Sequence, residues 1–242
     1  MKTIGLIGGT SWYSTIDYYR LINQLVNKKL GGNEAAKMVL YSVNYGEIVK
    51  LTKAGNWDSI SEIMTDAAKK LEVAGADCIL LGANTMHYVA DKVEAKITVP
   101  LIHITDATAK EIKKKGITTV ALLGTKYTMQ LDFYKDKLST HGINTIIPDE
   151  EGIEFVNDSI YNELGKGLVL PQTKENYLRL IEQLEKQGAE GVILGCTEIP
   201  LLISQEDCSI PIFNTTIIHA TAAVDFALAG ELTDQPFASF SK

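Results

Sequence analysis

The chain contains the stretch Gly75-Ala76-Asp77-Cys78-Ile79-Leu80-Leu81-Gly82 and, further along, its counterpart Gly188-Ala189-Glu190-Gly191-Val192-Ile193-Leu194-Gly195. Each apolar run has the length and flanks of a strand that is buried on both faces. Small polar residues follow each run, Ala83-Asn84-Thr85 in the first copy and Cys196-Thr197-Glu198 in the second. Ligands of open parallel sheets bind just beyond the carboxyl ends of strands. These two strand ends are therefore where we expect the chemistry.

Other parts of the chain repeat in the same order and at a nearly constant offset. The opening strand and turn resemble residues 118–125, with Gly8 matching Gly124. Residues 37–42 resemble 143–147, and residues 100–103 correspond to 211–214. This regularity indicates an internal duplication. Helices are predicted between the strands, at about 14–29, 58–73, 172–186 and 215–229, so the strands should be parallel and covered on both faces. We predict an α/β fold with two similar Rossmann-like domains, related by a pseudo-twofold axis, with the active site in the cleft between them.

The predicted domains are residues 1–104 with 216–242, which carry the strand end at Ala83, and residues 105–215, which carry Cys196. The last helix should pack back on the first domain. Several local features are also predicted. Residues 100–104 form a fourth strand, Asp106 caps the helix that follows, and Ser14 caps the first helix. The inner face of that first helix is expected to carry Ile16, Tyr19, Ile22 and Val26.

Composition excludes several classes of protein. The chain has 242 residues, 45% hydrophobic and 22% charged, with a net charge of −7. This charge and the lack of a basic cluster argue against nucleic-acid binding. No apolar run reaches the length of a membrane span, and the amino terminus becomes glycine-rich before a signal-peptide core could form. The three cysteines, without CxxC spacing, indicate neither a disulfide framework nor a metal site. We expect a cytoplasmic protein.

Known nucleotide and hydrolase motifs are also missing. The turn at Gly5-Leu6-Ile7-Gly8-Gly9 differs from GxGxxG, and no acid follows a second strand at the distance that a dinucleotide site requires. The sequence has no Walker A lysine, no GxSxG and no HExxH. We therefore do not expect a dinucleotide enzyme.

The two strand ends suggest proton transfer at carbon. If both carried a cysteine, one thiolate could remove a Cα proton and the opposite thiol could return one, which inverts the stereocentre. The enediolate-like charge would need preorganised donors, such as Thr85, Thr125 and Thr197. A helix that begins near Cys196 is expected to lower the pKa of its thiol. Position 83, however, is alanine, which can neither take nor give a proton.

Four motifs occur in a characteristic order: Gly8-Gly9-Thr10-Ser11-Trp12, Asn84-Thr85-Met86-His87, Leu123-Gly124-Thr125-Lys126-Tyr127-Thr128 and Gly195-Cys196-Thr197-Glu198-Ile199. Over essentially its whole length the chain resembles the aspartate/glutamate racemase family, and within it the L-aspartate/glutamate-specific branch. The resemblance implies two α/β domains, independence of pyridoxal phosphate, aspartate or glutamate as substrate, and commonly a homodimer.

The resemblance also implies roles for individual residues. Cys196 matches one of two opposed bases, and Ala83 lies where the family usually has cysteine, or threonine in the L-specific branch. The residues matched to substrate binding are Thr10, Thr52, Asn84, Thr85, Thr125, Lys166 and Thr197, of which Asn84, Thr85, Thr125 and Thr197 would hold the α-carboxylate and amine. Lys166 matches a position implicated in carboxylate binding.

Ala83 leaves several interpretations open. A racemase could work with Cys196 and water, or position 83 could have been changed to trap a substrate. A single-cysteine decarboxylase of the same superfamily protonates a planar enediolate from one face, which an alanine at position 83 would suit. The third alternative is an inactive amino-acid-binding protein. Among the other candidates, we expect Cys78, His103 and His219 to be structural, whereas His87 could either act as an acid or pack.

Overall fold

Seven parallel strands in two sheets organise the part of the chain, residues 1–230, that the computed structural model describes. The first sheet has the order β2-β1-β3, with β1 at Ile4–Gly8, β2 at Met38–Ser42 and β3 at Cys78–Leu81. The second has the order β5-β4-β6-β7, with β4 at Thr119–Gly124, β5 at Asn144–Ile146, β6 at Val192–Gly195 and β7 at Ile212–Asn214. The predicted α/β fold with two parallel sheets is confirmed.

Helices connect the strands, as the parallel arrangement requires. They are α1 Trp12–Leu30, α2 Tyr45–Lys53, α3 Trp57–Val73, α4 Ala90–Glu94, α5 Ile104–Lys114, α6 Lys126–Gln130, α7 Asp132–Thr140, α8 Glu150–Asn162, α9 Pro171–Lys186 and α10 Thr215–Leu228. Short 3-10 turns lie at Thr85–Val89, Leu164–Lys166, Ile199–Leu201 and Gln205–Asp207.

The two sheets use their strands in the same order, because β2-β1-β3 corresponds to β5-β4-β6. The prediction of a fourth strand at 100–104 was wrong. Only an isolated bridge between Ile79 and Leu101 occupies the place that β7 has in the second sheet.

Helix α5 begins at Ile104 and so ends the extended segment. Its N-cap is His103, whose Nδ1 accepts a hydrogen bond from the Thr105 N–H at 3.2 Å. Asp106 is therefore not the cap. It accepts instead from His141 at 2.7 Å.

Helix α1 begins earlier than the sequence predicted. Ser11 is its N-cap, and Ser14 lies within the first turn, where its hydroxyl donates to the Gly82 carbonyl at 3.2 Å. The buried face consists of Ser14, Thr15, Tyr18, Ile22 and Val26. Ile16 and Tyr19, predicted to face inward, are 55% and 57% exposed, because they fall on the opposite side of the helix.

Three apolar clusters stabilise the sheets. One lies largely within residues 104–213, and a second lies within residues 7–101. The third joins both ends of the described chain, because Ala220 and Val224 of α10 pack with Tyr18 of α1 and with Ile4 and Leu6 of β1. The domain boundaries themselves stay a prediction, and residues 231–242 of the first predicted domain lie outside the described residues. Within residues 1–230, no helix is both long enough and apolar enough to span a bilayer.

A glycine turn brings the first loop to the carboxyl end of the first sheet. Gly9 has a φ of +80°, and a Cβ there would lie 2.1 Å from the Val43 carbonyl oxygen. A side chain is therefore excluded by contact as well as by backbone conformation. The turn places Thr10 directly after β1, next to the end of β3.

A group of histidines lies behind the end of β3. The ring of His87 is 4.7 Å from that of His103 and 5.4 Å from that of His219. His219 is fully buried, between the Ile102 carbonyl, 2.6 Å from its Nε2, and the Tyr18 hydroxyl, 2.8 Å from its Nδ1. Burial lowers the pKa of His219 to about 4 and holds the pKa of His87 well below its ordinary value.

Stability should therefore fall when the pH is lowered from 7 to 5. Histidines of the unfolded chain titrate near pH ~6.5, whereas His219 of the folded chain stays neutral down to about pH 4. Between these values the unfolded chain binds more protons, so the free energy of unfolding falls by about 1.4 kcal/mol per pH unit for each histidine that stays neutral. Urea unfolding at several pH values measures this slope. His219→Gln should reduce this slope by the contribution of one histidine. A wild-type free energy of unfolding that does not change between pH 7 and pH 5 would contradict the expectation.

Candidate active site

A cleft of about 560 Å³ opens between the carboxyl ends of the two sheets. This volume lies within the range usual for small-molecule sites. Of the residues predicted for the site, the structure brings together Thr10, Thr52, Ala83, Asn84, Thr85, Thr125, Cys196 and Thr197 along its walls. Their individual roles stay predictions.

Lys166 is the predicted site residue that the structure does not bring into the cleft. It ends the turn Leu164–Lys166 and is exposed, whereas its neighbour Gly165 lines the cleft wall. Lys166 is not among the residues that line the cleft, and its contact with a substrate carboxylate stays a prediction.

A ring of three threonine hydroxyls joins the two sides of the cleft. Thr85 Oγ1 lies 3.0 Å from Thr125 Oγ1 and 3.2 Å from Thr128 Oγ1, and the latter two are 3.1 Å apart. Thr85 follows β3 of the first sheet, and the other two follow β4 of the second. Because each hydroxyl can donate once and accept, all three donors can be used within the ring.

Asn84 makes a second connection between the sheets. Its side-chain amide donates to Thr215 Oγ1 at 3.0 Å, and this hydroxyl donates to the Leu194 carbonyl of β6 at 2.9 Å. The Asn84 Oδ1 and the Thr10 Oγ1 are buried without a hydrogen-bond partner among the described residues. Buried polar atoms are rarely left unpaired, so two unpaired oxygens on cleft-lining residues suit a ligand that donates, such as an ammonium group.

Cys196 forms a pair with Glu198. The thiol donates to Glu198 Oε2 at 2.8 Å, and Thr197 Oγ1 donates to the same oxygen at 2.7 Å. Burial raises the pKa of the Cys196 thiol well above its ordinary value, and the charge of Glu198 and the hydrogen bond to it raise it further. The expectation of a lowered pKa was wrong. Only the short turn Ile199–Leu201 follows, so no long helix offsets the adjacent carboxylate.

His87 makes a hydrogen bond to the backbone of Ala83. The Ile104 N–H donates to His87 Nε2 at 3.2 Å, which leaves Nδ1 to donate to the Ala83 carbonyl at 3.0 Å. His87 is buried and is not among the residues that line the cleft. Between the two roles considered for His87, packing and positioning of the strand end therefore fit its location.

Sequence reasoning missed the parts of the cleft wall that come from α2, apart from Thr52, and from the end of α8. Helix α2 lines the cleft with Tyr45, Ile48, Val49, Thr52 and Lys53. Their spacing is that of a single helix face, a signal that was available in the sequence but is hard to detect in a helix of nine residues. Burial raises the pKa of Tyr45, and the negative charge of Glu198 raises it further.

This fold with a cleft between two parallel sheets is the arrangement found in solved structures of racemases. A putative Asp/Glu racemase from Yersinia pestis is 50% identical, with a TM-score of 0.90, and the match covers 94% of this chain and 100% of that one. An aspartate racemase homologue from Pyrococcus horikoshii OT3 is 41% identical, with a TM-score of 0.85, over 94% of this chain and 99% of that one. These similarities place the protein in the racemase class of isomerases.

The family follows from the sequence match. The model of the Asp/Glu/hydantoin racemase family matches residues 7–223, and the chain belongs to this family. The broad specificity amino-acid racemase RacX of Bacillus subtilis (strain 168) is 28% identical over 172 residues, which cover 71% of this chain and 74% of that protein. The resemblance noted in the sequence is confirmed at the level of the family.

The Cys196–Glu198 pair leads to a prediction about thiol reactivity. Replacing Glu198 with Gln removes the negative charge beside the sulfur, so the pKa of the Cys196 thiol should fall, while burial keeps it above the ordinary value. Alkylation by iodoacetamide, followed for the Cys196 peptide by mass spectrometry across pH, measures the shift. Cys208, which is remote from Glu198, serves as the internal control in the same digest. An unchanged Cys196 profile would show that Glu198 does not retain the proton.

Proposed function

We propose that this protein is a cofactor-independent amino-acid racemase that acts on aspartate or glutamate. The observation that supports this most directly is the Cys196 thiol paired with Glu198, at a strand end that faces position 83 across the cleft. Membership of the racemase family supports the reaction type. Asn84, Thr85, Thr125 and Thr197 are proposed to hold the α-carboxylate and amine, with Thr10 and Thr52 contacting the substrate.

The raised pKa means that Cys196 rests as a thiol, so the proton must leave it before the sulfur can act as a base. In the proposed mechanism, the proton passes from Sγ to Glu198 Oε2, and the resulting thiolate takes the Cα proton. The negative charge then develops on the substrate carboxylate, where the threonine hydroxyls and backbone N–H groups of the strand ends can donate to it. Return of a proton to Cα completes the reaction, and Glu198 gives its proton back.

Ala83 makes this mechanism one-sided. If the Cys196 thiol exchanges its proton with solvent and then protonates Cα, the configuration is retained and the only result is isotope exchange. Inversion needs a proton from the opposite face, which water must supply because a methyl group cannot. We therefore expect exchange at Cα to be faster than inversion, and racemisation to be slow in comparison with a site that has two bases.

A decarboxylase with a single cysteine is the second candidate. A protonated Cys196 and a methyl group at position 83 would suit the delivery of one proton to one face of an enediolate. Release of carbon dioxide from a malonate-type substrate would favour this reaction. Binding of an amino acid without any exchange would instead favour an inactive binding protein.

The first test is proton NMR of L- and D-aspartate and glutamate in D2O, with chiral analysis of the same samples. The expected result is loss of the Cα–H signal, with inversion slower than exchange. Cys196→Ala should abolish both exchange and inversion, because no other side chain of the site is proposed to take the Cα proton. Exchange that persists in this variant would exclude Cys196 as the base.

Ala83→Cys provides the matched variant for the same experiment. A thiol at position 83 restores a proton carrier on the opposite face, so inversion should rise at least tenfold relative to exchange. The half-buried position beside the cleft should tolerate the added sulfur with little change in the free energy of unfolding. An unchanged ratio of inversion to exchange would mean that the cleft is built for another reaction.

We also propose a homodimer formed through the outer face of α1. Trp12, Tyr13, Ile16 and Tyr19 are each about half exposed there, and contiguous exposed apolar surface commonly marks an interface. Trp12 and Tyr13 also line the cleft. A second copy on this face would therefore adjoin the entrance to the active site.

Ile16→Glu should dissociate this dimer, because a carboxylate buried in an apolar interface is costly. Sedimentation velocity should give a mass of twice 26.5 kDa for the wild type and 26.5 kDa for the variant. Val73→Glu, at an apolar residue that is 91% exposed at the end of α3, is the matched control and should remain dimeric. A wild-type protein that sediments as a monomer at all concentrations would exclude the dimer.

A further inference from the structure

The cleft wall formed by α2 ends in a positive charge. Tyr45, Ile48, Val49, Thr52 and Lys53 line the cleft from the first to the last residue of this helix. Lys53 is the last residue of this helix and lines the same cleft as Cys196. A substrate held at the strand ends could extend along this wall.

Three charged residues line the cleft, namely Lys53, Lys126 and Glu198. Lys126 is already neutralised, because its Nζ lies 2.5 Å from Glu154 Oε1. Glu198 accepts from Cys196 and Thr197. Within residues 1–230, Lys53 has no ion pair or side-chain hydrogen bond, so it is the cation of the cleft that remains available to an anion.

The position of Glu198 limits where a second carboxylate of the substrate can lie. The α-carbon must reach Cys196, which brings the substrate backbone close to the negative charge of Glu198. Like charges repel more strongly in a cleft with restricted solvent than in bulk water, so the distal carboxylate is directed away from the second strand end. A carboxylate that loses water in the cleft also requires a partner.

We propose that Lys53 binds the distal carboxylate of the substrate and makes the cleft selective for acidic amino acids. This inference rests on the proposed function for the assignment of Cys196 as the point that fixes the α-carbon. Lysine carries a compact charge on a flexible stem, so one residue can reach the side-chain carboxylate of aspartate or that of the longer glutamate. The exposed Lys166 is not required for this contact.

The test compares glutamate with glutamine, which has nearly the same shape but no distal charge. Lys53→Met keeps most of the side-chain length and removes the ammonium group. It should weaken glutamate binding and raise KM for glutamate about tenfold, with glutamine changed less than twofold and kcat for exchange nearly unchanged. Binding is measured by isothermal titration, and exchange by proton NMR in D2O.

Lys50→Met is the matched control. Lys50 lies on the same helix and is exposed, but it faces away from the cleft, beside Asn44 and Glu47. This variant should keep the wild-type preference for glutamate over glutamine. A loss of preference in both variants would indicate a general effect of charge on the helix and would overturn the role of Lys53.

The two measurements separate this inference from the proposed function. If the wild type binds glutamate without exchange and Lys53→Met weakens the binding, the racemase proposal fails and the role of Lys53 holds. If the wild type catalyses exchange and Lys53→Met leaves the ratio of glutamate to glutamine unchanged, the role of Lys53 is wrong and the racemase proposal holds. A wild type that binds glutamate no better than glutamine also overturns the inference.

Discussion

The hydrogen bonds between the two sheets are the interaction on which the site depends. Asn84 reaches Thr215, and Thr85 joins the hydroxyls of Thr125 and Thr128, so the residues that follow β3 are bonded to the second sheet. These contacts bring the ends of β3 and β6 to one cleft. Cys196 can therefore face position 83 although more than a hundred residues separate them. Asn84, Thr85 and Thr125, which take part in these contacts, are also expected to contact the substrate, so binding and the relative position of the two sheets are coupled.

The state of the proton on Cys196 decides what this site can do. A buried thiol whose pKa is raised beside a carboxylate is a weak acid, and it cannot act as a base until its proton moves to Glu198, whose Oε2 lies 2.8 Å from the sulfur. In the proposed mechanism Cys196 carries the proton on one face, and the methyl group of Ala83 cannot serve as a second carrier. The cleft also carries charges of opposite sign in different places. Glu198 is negative at the second strand end, and Lys53 is positive at the end of α2.

Much of the fold followed from the sequence because the duplicated strands are buried on both faces and read as continuous apolar runs. The cleft residues followed because they come directly after those runs. The errors have local causes. The segment at 100–104 stops after one bridge because α5 begins at Ile104. The inner face of α1 was misassigned because apolar Ile16 and Tyr19 are exposed while Ser14 and Thr15 are buried. The pKa of Cys196 depends on the orientation of Glu198, which spacing along the chain does not specify.

The ring of three threonine hydroxyls has a further property. Hydrogen bonds around such a ring can run in either sense, and reversal needs only rotation of the three O–H bonds, with every oxygen left in place. In either sense each hydroxyl hydrogen points to the next oxygen of the ring, so the two senses differ only in which threonine donates to which. The ring therefore joins the two sheets without imposing a single order on its protons.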